Sequence, residues 1–201
     1  MHKVFISYHH GNDQTYKDAL LRLNDAHGLF IDASVDTGDI SETLTDQVIR
    51  EKIRDEYLRD STVTIVLVGT ETKRRKHVDW EIYSSMFDGT RNKKSGVFAI
   101  TLPSTGCTNI TAAHEAEKSV VYPEFTSWTS INERSKYEER YPALPSRLID
   151  NLLAPEGKVS VTNWSRIENN PDALRCLIDT AYDDRASCRY DLSAPMRRSN
   201  S

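Results

Sequence analysis

The stretch Ser61-Thr62-Val63-Thr64-Ile65-Val66-Leu67-Val68-Gly69-Thr70 decides the fold of this chain. It is a run of β-branched and apolar residues that ends in a glycine, which is typical of a strand buried on both faces that runs into a turn. A helical pattern follows, because Val78, Ile82 and Met86 recur every four residues and share one face. Together the two patterns predict a central strand followed by a crossover helix.

Glu81 is the charged residue of this helix with the most informative position. It lies on the flank of the apolar face, about one turn into the predicted helix, and so faces the carboxyl end of the central strand. Open α/β sheets bind their ligands at that edge. The bare pattern nevertheless favours the simpler interpretation, an exposed helix charge.

Strands and helices alternate on both sides of this unit. Apolar runs predict strands at 4–8, 29–33 and 96–102, and helical spacing predicts helices at 13–26 and 46–58. Alternation of this kind indicates an α/β fold, a parallel sheet flanked by helices with right-handed crossovers.

The pattern loosens after Pro103. We predict helices at 112–117, 142–153 and 171–184, and a short strand at 159–161. Asn170 and Pro171 are residues that favour the start of a helix at this point, and they support the last helix.

Length and composition favour a single domain. We assign residues 1–185 to it, with an elaborated C-terminal part at 103–185. The polar tail at 186–201 is expected to be partly disordered.

Composition argues against several classes of function. A net charge of −4 with interspersed signs gives no nucleic-acid-binding surface, and no apolar stretch is long enough to span a membrane. Cys107, Cys176 and Cys188 are odd in number and widely spaced, which argues against a disulfide framework and for a reducing compartment. The chain begins with a strand pattern and without a signal-peptide core, so we expect a cytoplasmic location.

The common motifs of phosphate binding and hydrolysis are absent. The sequence contains no glycine-rich dinucleotide fingerprint, no P-loop and no Gly-x-Ser-x-Gly elbow. His9, His10 and His77 could approach one another at the strand ends. Adjacent histidines point in different directions, however, and no carboxylate completes a ligand set, so we predict no metal site.

Polar side chains end three neighbouring strands of the predicted sheet. Ser7 and Tyr8 follow the first strand, Asp32 and Ser34 the second, and Thr70 the third. With Glu81 they supply hydroxyls, a carboxylate and an aromatic ring around one crevice, which suits a ribose or a nucleotide. Turn capping by Asp32 and Ser34 and a core position for Tyr8 explain the pattern equally well, and both interpretations stay open.

Four motifs, in order and at the right spacing, resemble the TIR (Toll/interleukin-1 receptor) domain family. They lie at 4–8, 30–34, 66–72 and 75–82, and the resemblance covers residues 2–102. The similarity is greatest to the bacterial TIR-like branch used in anti-phage defence, in particular the TIR-like subunit of Thoeris systems. The region after Pro103 does not match the compact end of an ordinary TIR domain.

The resemblance implies both a fold and a reaction. Its fold is a flavodoxin-like parallel sheet. The enzymatic members cleave the nicotinamide–ribose bond of NAD, which is their substrate rather than a cofactor. Their catalytic glutamate corresponds to Glu81, Asp32 and Ser34 match positions that line the pocket, and Tyr8 could stack on nicotinamide or adenine.

The resemblance also implies partners. The ADP-ribose-derived product, cyclic or conjugated, would activate a separate effector protein, and TIR domains commonly self-assemble. Two rival hypotheses remain beside the enzyme: a non-catalytic TIR-like adaptor that acts through protein contacts, and a flavodoxin-like module that binds a nucleotide without turnover.

Overall fold

The computed structural model describes residues 1–34, 44–90 and 92–200. Residues 34–43 are mostly polar, which predicts a loop between the second strand and the next helix, and all of them except Ser34 lie outside the described residues. The described part contains one parallel sheet with the strand order β2-β1-β3-β4-β5. This is the flavodoxin-like arrangement of a doubly wound fold, and it confirms the predicted fold class. The strands are β1 Lys3–Ser7, β2 Ile31–Asp32, β3 Val63–Val68, β4 Gly96–Thr101 and β5 Ser160–Asn163.

Helices cover both faces of the sheet. They are α1 His10–His27, α2 Asp46–Lys52, α3 Lys76–Met86, α4 Glu115–Val120, α5 Arg134–Arg140, α6 Ser146–Leu153 and α7 Pro171–Asp184. Helices α1 and α7 share an apolar core with one face of the sheet, and α4 packs on α7. Helices α2, α3, α5 and α6 contribute to the two apolar clusters on the opposite face.

Strand β1 directs its side chains alternately to the two faces. Val4 and Ile6 pack in the core of α1 and α7, whereas Phe5 packs with Ile49 of α2 and Trp80 of α3. Successive side chains of a strand point to opposite faces, so Ser7 shares the face of Phe5. The last residue of β1 is therefore directed towards α3.

Several element boundaries differ from the sequence prediction. Helix α1 begins three residues earlier than expected, at His10, and ends at His27 before Gly28, whose φ of 58° suits a left-handed helix terminus. The helix predicted at 46–58 is α2 continued by a π-helical segment, Ile53–Tyr57. Helix α5 was not predicted, because its seven residues include five charged ones and carry little apolar periodicity.

The chain beyond Pro103 completes the sheet. Strand β5 lies beside β4 as the fifth strand, and its outer side pairs with Thr111 in an antiparallel bridge to Val161. Helix α7 has the predicted bounds, and the Asn170 side chain accepts a hydrogen bond from the backbone N–H of Ala173. The C-terminal elaboration is thus part of the same layered core.

The tail packs against α3, in contrast to the disorder expected of its polar composition. Met196 is buried, and Trp80 Nε1 donates a hydrogen bond of 2.7 Å to the carbonyl of Arg197. The backbone N–H of Arg197 donates to Asp79 Oδ2 at 2.8 Å. The tail contacts α3 through backbone groups and through single side chains, namely the buried Met196 and Asn200, whose Oδ1 accepts a hydrogen bond from Lys76 N at 2.9 Å. These contacts follow no periodic pattern, so the polar composition of the tail did not reveal them.

No helix in the described part of the chain is long and apolar enough to cross a membrane. Cys107, Cys176 and Cys188 are all free thiols.

Candidate active site

Ser7 and Glu81 meet at the carboxyl end of β1. Ser7 Oγ donates a hydrogen bond of 2.6 Å to Glu81 Oε2, across the boundary between the sheet and α3. Both side chains are buried, and Glu81 retains only 3% of its exposure. The contact arises because β1 directs Ser7 towards α3 and because Glu81 lies on the inner side of that helix. Two of the predicted site residues are thereby brought together, and the exposed-charge interpretation of Glu81 does not hold.

Burial dominates the electrostatics of Glu81. It raises the pKa of this carboxyl to about 7, against the opposing effects of the Ser7 hydrogen bond and the positive charge of Lys17. The positive end of a helix would favour the ionised form instead. Glu81 is the sixth residue of α3, however, and the helix dipole acts mainly within the first turn. The carboxyl is consequently poised to gain or lose a proton near neutral pH.

Tyr8 lies next to this pair but belongs to the core on the α1 side of the sheet. Its hydroxyl donates to Gln14 Oε1 at 2.5 Å, and its ring stacks on that of His10 with centroids 4.3 Å apart. The Lys17 ammonium lies 5.3 Å from the Tyr8 ring centroid. The structure thus realises the core position that the sequence left open for Tyr8, and the ring supports Lys17 near Glu81.

Asp32 and Ser34 form a turn at the end of β2. Asp32 Oδ1 accepts a hydrogen bond from the backbone N–H of Ser34 at 2.9 Å, and Ser34 Oγ accepts one from Ile6 N at 3.2 Å. These are the contacts expected if Asp32 and Ser34 cap a turn, one of the two interpretations that the sequence left open. They also fix both side chains at the carboxyl edge of the sheet, where Asp32 is exposed, so their role in substrate binding remains a prediction.

A buried carboxylate, that of Asp13 in α1, lies against the end of β3, and the sequence analysis did not predict it as a site residue. Thr70 itself is exposed. Beside it, Asp13 of α1 lies so close to Gly69 that a Cβ on the glycine would be 2.5 Å from both carboxylate oxygens. Thr72 Oγ1 accepts a hydrogen bond from Gly69 N at 2.8 Å and lies 3.5 Å from Asp13 Oδ2. Burial raises the pKa of Asp13. The glycine at the strand end was the available signal, but its partner is 56 residues away in the chain.

Two helices begin at the same edge of the sheet. His9 precedes α1 and Arg75 precedes α3, and burial together with the charge of Arg75 lowers the pKa of His9. His9 Nδ1 and Arg75 Nε are buried without a hydrogen-bond partner among the described residues. Within the same residues, no three His, Cys, Asp or Glu side chains are grouped as metal ligands would be.

A cavity of about 540 Å³ lies elsewhere, within the C-terminal elaboration. Its lining residues fall between Ile110 and Val159, and none of the predicted site residues is among them. The cavity is therefore distinct from the site formed by Ser7 and Glu81.

Comparison with known proteins relates the chain to a described family. The family model described as Thoeris protein ThsB, TIR-like domain, matches residues 5–106, just over half of the chain. A search of curated proteins found no match. The matched segment contains the end of β1, the whole of β2 to β4 and α1 to α3, and it includes all six of the predicted site residues.

Proposed function

Because the chain belongs to the TIR-like domain family of the Thoeris protein ThsB, which supports a role in anti-phage defence, we propose that it is an enzyme that cleaves the nicotinamide–ribose bond of NAD. The observation that carries this proposal is the buried Glu81 carboxylate held by Ser7 at the carboxyl end of β1. The product is an ADP-ribose-derived signal, cyclic or conjugated, that activates a separate effector protein.

The reaction needs one well-placed negative charge. When the C1′–N bond breaks, its electron pair remains on the nicotinamide nitrogen, and the base leaves as a neutral molecule. The positive charge then resides on the ribose as an oxocarbenium ion, which an ionised Glu81 stabilises. Burial strengthens this interaction, because a charge pair attracts more strongly in a medium of low dielectric constant. Water or another nucleophile then attacks C1′ and, after losing a proton, completes the product.

The raised pKa of Glu81 fits a cationic substrate. A carboxyl with a pKa of about 7 is partly protonated in the free protein at neutral pH. The pyridinium charge of bound NAD favours the ionised form, so substrate binding would shift the carboxyl to its active state. Arg75 and the N-terminus of α3 supply positive charge at the same edge, suited to the diphosphate.

The remaining predicted residues have supporting roles in this proposal. Asp32 and Ser34 bind the ribose hydroxyls, and Thr70 closes the same edge of the crevice. Tyr8 contributes through the position of Lys17. Self-assembly would add a neighbouring copy to the crevice, as the family resemblance suggests.

The test is turnover of NAD by the purified protein and by cells under phage challenge, followed by mass spectrometry. We expect loss of NAD and appearance of an ADP-ribose species, both abolished in Glu81→Gln. Glu168→Gln, a change at an exposed glutamate away from the site, serves as the matched control and should retain activity. Asp32→Ala should weaken turnover while its circular dichroism spectrum stays unchanged.

The contrary outcome is equally specific. Absence of turnover in both settings, with phage protection intact in Glu81→Gln cells, would support the adaptor that acts through protein contacts and refute the enzyme.

A further inference from the structure

The cavity within the C-terminal elaboration has no role in the reaction proposed for Glu81. It measures about 540 Å³ and is built by the segment from Ile110 to Val159. This segment lies beyond residues 5–106, which the family model matches. The family relationship therefore gives no account of the cavity, and its volume is in the range of small-molecule sites.

The lining of the cavity is positively charged. Lys118, Arg140 and Lys158 contribute to it, whereas no aspartate or glutamate does so among the residues that the structure describes. Lys118 is paired with Glu115, which lies outside the lining, at 2.7 Å, so the net positive charge comes from Arg140 and Lys158. Arg140 donates to the carbonyl of Ile110 at 3.0 Å, and its Nε lies 3.4 Å from the hydroxyl of Tyr141. Both are neutral groups, so these contacts leave the guanidinium charge uncompensated. A concave surface with one sign of charge attracts an anion.

Two aromatic rings add a flat apolar surface. Phe125 is 44% exposed, which is unusual for so large an apolar side chain. Its ring meets that of Trp128 edge to face, with centroids 6.0 Å apart. The Lys118 ammonium lies 5.6 Å from the Trp128 centroid, so charge and aromatic surface are adjacent. An aromatic group bound against Phe125 would have cations within reach.

The backbone at one end of the cavity is held in an unfavourable conformation. Lys158 has a φ of 50°, in the left-handed region that side chains other than glycine rarely adopt. The preceding Gly157 passes so close to α6 that a Cβ there would be 2.2 Å from the carbonyl oxygen of Asn151. Packing thus fixes a lysine at the cavity despite local strain, a combination found at ligand sites.

We propose that this cavity binds a nucleotide, with its base against Phe125 and Trp128 and its phosphates at Lys158 and Arg140. The ligand class follows from the joint presence of aromatic rings and the two cations Arg140 and Lys158 in a lining to which no described carboxylate contributes. The site is separate from Glu81 and does not depend on the proposed NAD chemistry.

Tryptophan fluorescence offers a direct measurement, with ADP as the probe. Trp128 is half-buried and lines the cavity, whereas Trp80 and Trp164 are buried elsewhere. We expect ADP to quench the emission of the wild-type protein in a saturable manner, and Trp128→Phe to lose that quenching.

Lys158→Asn is the decisive variant, because asparagine tolerates a positive φ while removing the charge. We expect its Kd for ADP to rise roughly tenfold, as for the loss of one charge-assisted hydrogen bond. Lys93→Asn, at a lysine that is 73% exposed and outside the cavity, should bind as the wild type does. Phe125→Ala, at an exposed position, gives a second variant and should also weaken binding.

Two results would overturn the proposal. One is an unchanged Kd in both Lys158→Asn and Phe125→Ala. The other is equal affinity for adenosine and ADP, because phosphate groups would then contribute nothing.

Discussion

Replacing Glu81 by glutamine should stabilise the protein in a pH-dependent manner. The amide resembles the protonated carboxyl in shape, and its oxygen can still accept the hydrogen bond that Ser7 donates to Oε2. What the substitution removes is the ability of a buried side chain to acquire charge. Any difference in stability between the two proteins therefore reports the ionisation of Glu81.

The magnitude follows from the raised pKa. The carboxyl titrates at about 4.5 in the unfolded chain and at about 7 in the folded one. Below pH 4.5 it is protonated in both states and costs nothing. Between pH 4.5 and 7 only the unfolded chain releases the proton, so the stability of the wild type falls as the pH rises. The loss amounts to about 3 kcal/mol above pH 7, and Glu81→Gln avoids it.

Urea denaturation at pH values from 4.5 to 8.5, followed by circular dichroism, measures this difference. The two proteins should agree near pH 4.5. The difference in stability in favour of the variant should then grow until the pH passes 7, because the wild type loses stability over this range. At pH 8 its urea midpoint should be higher by roughly 1 M. Glu168→Gln, at an exposed position, should follow the wild type throughout. A stability difference for Glu81→Gln that does not vary with pH would refute the conclusion that burial controls this carboxyl.

Three further predictions concern neighbouring parts of the molecule. Gly96→Ala should destabilise the protein by about 3 kcal/mol or prevent folding, seen as loss of a cooperative urea transition, because its Cβ would lie 1.9 Å from a backbone oxygen of α7. Arg147→Met should lower the free energy of unfolding by about 3–5 kcal/mol in the same assay, because Arg147 donates hydrogen bonds of 2.8 and 3.0 Å to Asp79, whose charge would lose its partner. The added change Asp79→Asn removes that charge and should recover part of the lost stability. Ser7→Ala should move the pH profile of kcat/KM for NAD to higher pH. In the wild type the Ser7 hydrogen bond lowers the pKa of Glu81, so the loss of this bond raises that pKa. An unchanged profile would show that the ionisation of Glu81 does not control kcat/KM.

The first four strands could be predicted from the sequence because their signals are local. Continuous apolar runs such as 63–68 identify buried strands, and four-residue spacing identifies α3 between them. A parallel sheet and an edge at its carboxyl ends then follow from chain geometry. Residue spacing accordingly directed Glu81 towards that edge, although it favoured an exposed charge, and the family resemblance was needed to predict Glu81 as a site residue.

The tail and the middle of the C-terminal elaboration were less predictable. Helix α5 has no apolar stripe of its own, and the tail contributes carbonyl and N–H groups to α3. Side-chain periodicity predicts neither helix α5 nor the contacts of the tail with α3.

The sequence by itself determined the α/β fold class, the family resemblance and the choice of Glu81 as the central carboxylate. Only the tertiary structure decided the state of that carboxylate. Its hydrogen bond comes from Ser7, 74 positions away in the chain. Its pKa near neutrality comes from burial by the surrounding structure, against the opposing effect of that hydrogen bond. The physical reason is that periodicity fixes which face of a helix is apolar, whereas solvation and hydrogen bonding depend on which distant groups close over that face.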